Sequence, residues 1–107
     1  MSDLAAAKCV PCEKGTPPLR EDEVKALLAQ LPGWQVVDGE LRKEYRFPDF
    51  RQALDFVNRL GEVAEGEGHH PDIALGWGRV GVALSTHSIG GLSRNDFIVA
   101  AKADQVR

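Results

Sequence analysis

From Pro48 to about Ala64 the chain carries its strongest periodic signal. Phe50, Leu54 (with Ala53), Val57, Leu60 and Val63 or Ala64 recur at helical spacing, with Arg51, Asp55, Arg59 and Glu62 towards the opposite face. A helix with such a stripe has to bury it against another layer, and the flanking sequence supplies one. Upstream, Trp34 to Val37 reads as a short strand, Asp38-Gly39 as a two-residue hairpin turn, and Leu41 to Phe47 as the return strand. In that strand Leu41, Tyr45 and Phe47 share one face and Arg42, Glu44 and Arg46 the other; Lys43 interrupts the apolar face and suggests an edge or a partly open surface. Downstream, Asp72 to Leu75 and Val80 to Thr86 form a second pair joined by Gly76-Trp77-Gly78. Val80, Val82, Leu84 and Thr86 take one face of the last strand, and Gly81, Ala83, Ser85 and His87 the other. The small residues before His87 leave room for a close-packed helix or a flat ligand.

Two further helices bracket this pattern. Val24, Leu27, Leu28 and Leu31 predict one from near Glu21 to Gln30, with acidic residues in its first turn and Pro32-Gly33 as its stop. Ser93-Arg94-Asn95-Asp96 reads as an N-cap serine with an acid three residues on, opening a last helix through Phe97, Ile98 and Ala101. The order is α-β-β-α-β-β-α. It predicts an α+β fold, a four-stranded antiparallel sheet with three helices on one face, over residues 20–107. Residues 1–19, broken by Gly15, Pro17 and Pro18, read as a flexible N-terminal tail. Its Cys9 and Cys12 form a C-x-x-C that could be half a zinc site or a redox pair, but no good second ligand pair and no strand-then-helix setting accompany it. Reduced thiols on a mobile tail are the simpler expectation.

Several classes of function are disfavoured by composition. A formal net charge of −3, from 13 basic and 16 acidic residues, offers no excess positive charge for a nucleic-acid backbone. No apolar run approaches the roughly 20 residues of a membrane span. The N-terminus lacks the pattern of a secretory signal, so a cytoplasmic protein is expected.

All three histidines fall between Glu65 and Asp96. His69 and His70 are adjacent, Pro71 restrains the backbone of His70, and His87 closes the last strand. Histidine is the side chain that changes charge between about pH 5 and 8. A metal site is a weaker reading, because adjacent imidazoles seldom chelate one ion and no H-x-H or H-x-x-x-H spacing is present. Ser85 and Ser88 show no nucleophile-elbow pattern. No glycine-rich phosphate loop follows a strand, so no nucleotide cofactor is expected. Cofactor-free general acid–base chemistry fits best, one imidazolium protonating a leaving hydroxyl while a neutral imidazole removes a proton.

Taken together, Glu65-x-x-x-His69-His70-Pro71, the aromatic Trp77, Ser85-Thr86-His87 and Gly91-Leu92-Ser93-x-x-Asp96 resemble the pterin-4a-carbinolamine dehydratases, bacterial members above all. The resemblance runs from about Leu19 to the C-terminus and includes Leu31-Pro32-Gly33-Trp34. It implies a hydro-lyase that converts 4a-hydroxytetrahydropterin to quinonoid dihydropterin and water, recycling tetrahydrobiopterin for an aromatic amino acid hydroxylase. By position it implies His69 and His87 as the acid–base pair and His70 as a further active-site histidine that orients the pterin. Glu65 and Asp96 would supply positioning carboxylates, and Pro71, Thr86 and Ser88 would line the substrate pocket. It also implies a homodimer or homotetramer. Two readings of another class remain, a non-catalytic dimerisation or coactivator module and an assembly scaffold. Asp96 could equally be a capping residue, and Trp77 core or pocket wall. Many animal members have arginine directly before the final aspartate, where this chain has Asn95.

Overall fold

The computed structural model describes residues 3–10 and 15–107. Three α-helices, α1 (Glu21–Leu28), α2 (Phe50–Glu67) and α3 (Arg94–Val106), accompany four strands, β1 (Gln35–Val37), β2 (Glu40–Arg46), β3 (Asp72–Gly76) and β4 (Arg79–Leu84). The sheet is antiparallel throughout, in the order β1-β2-β4-β3. This is the expected α+β architecture. Leu41 and Tyr45 of β2 and Val80, Val82 and Leu84 of β4 point into the core, where Phe56 and Leu60 of α2 and Phe97 and Val99 of α3 meet them. The opposite face carries Arg42, Glu44, Gly81 and Ala83 around an open concavity of about 680 Å³.

The structure revises four sequence expectations. The first is that β2 is central, paired to β1 on one side and β4 on the other. Lys43 is on the core face because its ammonium snorkels to Asp104 of α3 (2.9 Å) and lies over the rings of Tyr45 and Trp34. The lysine marks a neutralised charge, not an edge.

Second, α2 starts one residue after its cap, Asp49, whose carboxylate accepts from Gln52 N–H, and it runs on to Gly68, left-handed at φ 65°. Its buried line is Ala53, Phe56, Leu60 and Ala64. Phe50 and Leu54 stay 44% and 37% exposed. The helix is apolar over a wide arc, and the sheet takes the face centred on Phe56, whose ring packs on Tyr45 (4.6 Å between centroids) and Phe47 (5.3 Å).

Third, β4 stops at Leu84. Thr86 makes an isolated bridge with Gly91, and His87 opens a single 3-10 turn, His87–Ile89, closed by Gly90 at φ 68°. His87 is therefore off the sheet face on which Gly81 and Ala83 lie.

Fourth, residues 3–10 are docked rather than free. Leu4, in the 3-10 turn Asp3–Ala6, is 1% exposed in the core, and Lys102 of α3 donates to Ala5 O at 2.8 Å. One turn is too short to carry a period, so no pattern announced it. Cys12, and with it the C-x-x-C pairing, lies outside the described residues. Among those residues no helix is long and apolar enough to cross a membrane.

Candidate active site

Asp96 is the centre from which the site is built. Ser93 caps α3 and Asp96 occupies the third helical position, so its carboxylate reaches back to Ser93 N–H (Oδ2, 2.9 Å). The residue is fully buried at 0% exposure. A buried carboxylate needs every available donor. Thr86 Oγ1 donates to the same Oδ2 at 2.9 Å, which leaves its lone pairs to accept Ser93 Oγ–H at 2.7 Å. The other oxygen, Oδ1, meets His69 Nε2 at 2.6 Å. Opposite an ionised carboxylate, which can only accept, Nε2 is the donor of this bond and Nδ1 is the ring nitrogen left for exchange with any other group. Capping and holding the histidine coexist in one side chain.

His69 is presented by the end of α2. Gly68 turns the chain left-handed, and His69 N–H then bonds Ala64 O at 3.2 Å, which tucks the imidazole towards α3. His70 faces outward. Its Nε2 pairs with Glu65 Oε1 at 2.8 Å, both groups more than half exposed. Glu65 is thus one turn inside α2 and reaches its partner across the helix end.

The three histidines line three different concavities. That of His69, about 360 Å³, is bounded by Thr86, Ser88, Glu67, Cys9 and Val10. That of His87, about 380 Å³, holds Ser85, Thr86 and the Asp38-Gly39 turn. That of His70, about 410 Å³, holds Glu65 and Pro71. Thr86 is common to the first two, so the His69 and His87 cavities meet at one residue, which is also a ligand of Asp96. The larger hollow on the open sheet face contains no histidine. Trp77 is not core: it is 71% exposed at the β3–β4 turn. Among the described residues no three His, Cys, Asp or Glu side chains gather as a metal ligand set.

Sequence reasoning missed the residues at the rim. Asn95 is buried, and its side chain pairs with the backbone of Val10 in both directions, Val10 N–H to Oδ1 (3.0 Å) and Nδ2 to Val10 O (2.6 Å). Glu67 Oε1 accepts Cys9 N–H at 2.8 Å. Burial, then the Glu67 carboxylate, push the Cys9 thiol up to about 12.

The model of the family "Pterin 4 alpha carbinolamine dehydratase" matches residues 17–106. The chain belongs to the pterin-4a-carbinolamine dehydratase family. A relative from Rubrobacter xylanophilus is 55% identical over 99% of this chain and 100% of its own length. One from Alkaliphilus metalliredigens is 50% identical over 98% and 96%. Both are provisionally named pterin-4-alpha-carbinolamine dehydratases. The crystal structure of a transcriptional coactivator/pterin dehydratase from Brucella melitensis superposes with a TM-score of 0.80 at 34% identity, covering 83% of this chain and 97% of that one. A pterin dehydratase-like protein described as a RuBisCO assembly factor of the alpha-carboxysome gives a TM-score of 0.57 at 26% identity, covering 68% and 84%.

Proposed function

We propose that this member of the dehydratase family removes water from a 4a-hydroxytetrahydropterin by histidine acid–base catalysis, giving the quinonoid dihydropterin. The observation that carries the reading is the 2.6 Å bond between His69 Nε2 and the buried Asp96 carboxylate. It fixes the tautomer, leaves the Nδ1 lone pair for a proton, and sets a negative charge beside the imidazolium that results.

The reaction needs one base and one acid. The C4a–O bond breaks, the leaving hydroxyl takes a proton and departs as water, and loss of the N5 proton lets the nitrogen lone pair form the C4a=N5 bond. No oxidant or reductant is consumed. In our reading His69 Nδ1 accepts the N5 proton, and His87, protonated, gives its proton to the leaving hydroxyl from the far side of Thr86. Exchange with solvent then resets the pair. His70, held by Glu65, orients the pterin ring, with Pro71, Thr86 and Ser88 as pocket wall. A homodimer or homotetramer in the cytoplasm, coupled to an aromatic amino acid hydroxylase, completes the proposal.

The test is dehydration of freshly generated 4a-hydroxytetrahydropterin, followed by ultraviolet absorbance with a chelator present. Clear acceleration by wild type is expected, with partial loss in His69→Ala and His87→Ala and near-complete loss in the double variant. A chelator that abolishes the activity would reveal a metal site instead. A second reading, a non-catalytic coactivator or assembly scaffold, draws support from the descriptions of the two solved relatives. Folded wild-type protein that gives no acceleration would favour it.

A further inference from the structure

Residues 3–10 precede the family-matched part of the chain, yet they make part of the wall beside His69. The anchoring is specific. Leu4 is sunk in the core, Lys102 Nζ holds Ala5 O (2.8 Å) and lies 3.9 Å from Glu67 Oε2, and Glu67 Oε1 holds Cys9 N–H. Asn95 then grips Val10 through two backbone hydrogen bonds, as a neighbouring strand would. The grip and the reacting group share one turn of α3: Asn95 faces the segment while Asp96, next in the chain, holds His69. Cys9 and Val10 are in this way set across the cavity from Thr86 and Ser88.

We propose that residues 3–10 form a substrate-contacting strap, with Cys9 and Val10 closing the His69 cavity over the pterin, and that Asn95 is the positioning residue holding it there. This rests on the functional reading above and extends it. The strap touches the bound ring and not the proton-transfer groups, so it sets affinity rather than the chemical step. Asn95 serves a contact within the chain. Cys9 acts as a neutral wall: burial and the adjacent carboxylate keep it a thiol, and the thiolate is the reactive form.

The test uses the full chain with Cys12→Ser, which leaves Cys9 as the single thiol. Iodoacetamide reports strap docking, and dehydration kinetics report its contact with substrate. Asn95→Ala removes the grip, and Val10→Pro removes the Val10 donor from the strap side without altering α3, in case the first variant folds poorly. Either change is expected to speed Cys9 alkylation about tenfold or more, to raise KM about fivefold and to leave kcat within about twofold. Bound 7,8-dihydrobiopterin, the stable probe, is expected to slow Cys9 alkylation in the parent.

Faster alkylation with unchanged KM in an active enzyme overturns the inference, and so does alkylation that ignores the probe. Absence of dehydration by the parent is a different failure. It removes the functional reading, and the strap's substrate role with it, while the alkylation rates still report whether the strap is docked.

Discussion

Asp96 and Asp104 sit on the same helix, and each collects three donors. Asp96 takes His69, Thr86 and Ser93 N–H; Asp104 takes Lys43, Tyr45 and the indole of Trp34. The chemistry of the acceptor is identical and the consequences diverge. Asp104 is 29% exposed and pairs with the Lys43 ammonium at 2.9 Å, and with its other two donors it pins β2 and the start of β1 to α3. Asp96 is fully buried among neutral donors, and the only partner that can become a cation is the imidazole at a cavity wall. A carboxylate beside a fixed charge is structural. A carboxylate beside an imidazole, which can take up and release a proton, can support catalysis.

Neutralising each acid in turn separates the two roles. Asp96→Asn places an amide against His69 and is expected to lower kcat about 10²-fold or more, the range of a lost acid–base group. Asp104→Asn is expected to leave kcat within about twofold, and steady-state dehydration rates decide between them. Stability should show the converse emphasis. Asp104→Ala removes the shared acceptor of a lysine, a phenol and an indole. A loss of about 1–3 kcal/mol is expected in urea unfolding, with the active site unaffected.

The Asp104 cluster also predicts an alkaline limit. Burial, then the Asp104 carboxylate, raise the Tyr45 phenol above its usual value of 10.0. Below pH 10 both the folded and unfolded chains keep the proton and its contribution is complete. Above it the unfolded chain ionises while the folded one does not, so stability falls as pH rises. Cys9 adds a loss of the same sign from its ordinary 9.0 towards about 12. Tyr45→Phe should flatten the decline in urea midpoints between about pH 10 and 11. The smallest effect belongs to the exposed pair His70–Glu65. Glu65→Gln should change stability by less than about 0.5 kcal/mol, while raising KM if His70 orients the pterin.

Asp96 was legible in the sequence because its capping partner is local, three residues away at Ser93, and because it falls in register with the histidine motif. Asp104 was not. Its donors lie 59 to 70 residues upstream, and Lys43 alone looks like an edge signal because nothing nearby shows what neutralises it. The strand and helix order followed from alternation and helical spacing. The buried line of α2 did not, since a helix apolar over a wide arc offers both Phe50 and Phe56 and only the sheet chooses. Side-chain grips on backbone, such as Asn95 on Val10, leave no periodic trace, and that is why the strap read as a tail.

Whether Asp96 fixes the His69 tautomer is read most directly from the nitrogen spectrum of His69 in isotopically labelled protein, at a pH above the imidazole range. The expectation is a protonated Nε2 and an unprotonated Nδ1 in wild type, the same in Asp104→Asn, and loss of that fixed tautomer in Asp96→Asn. A wild-type His69 that mixes both tautomers, or that stays unchanged in Asp96→Asn, would contradict it.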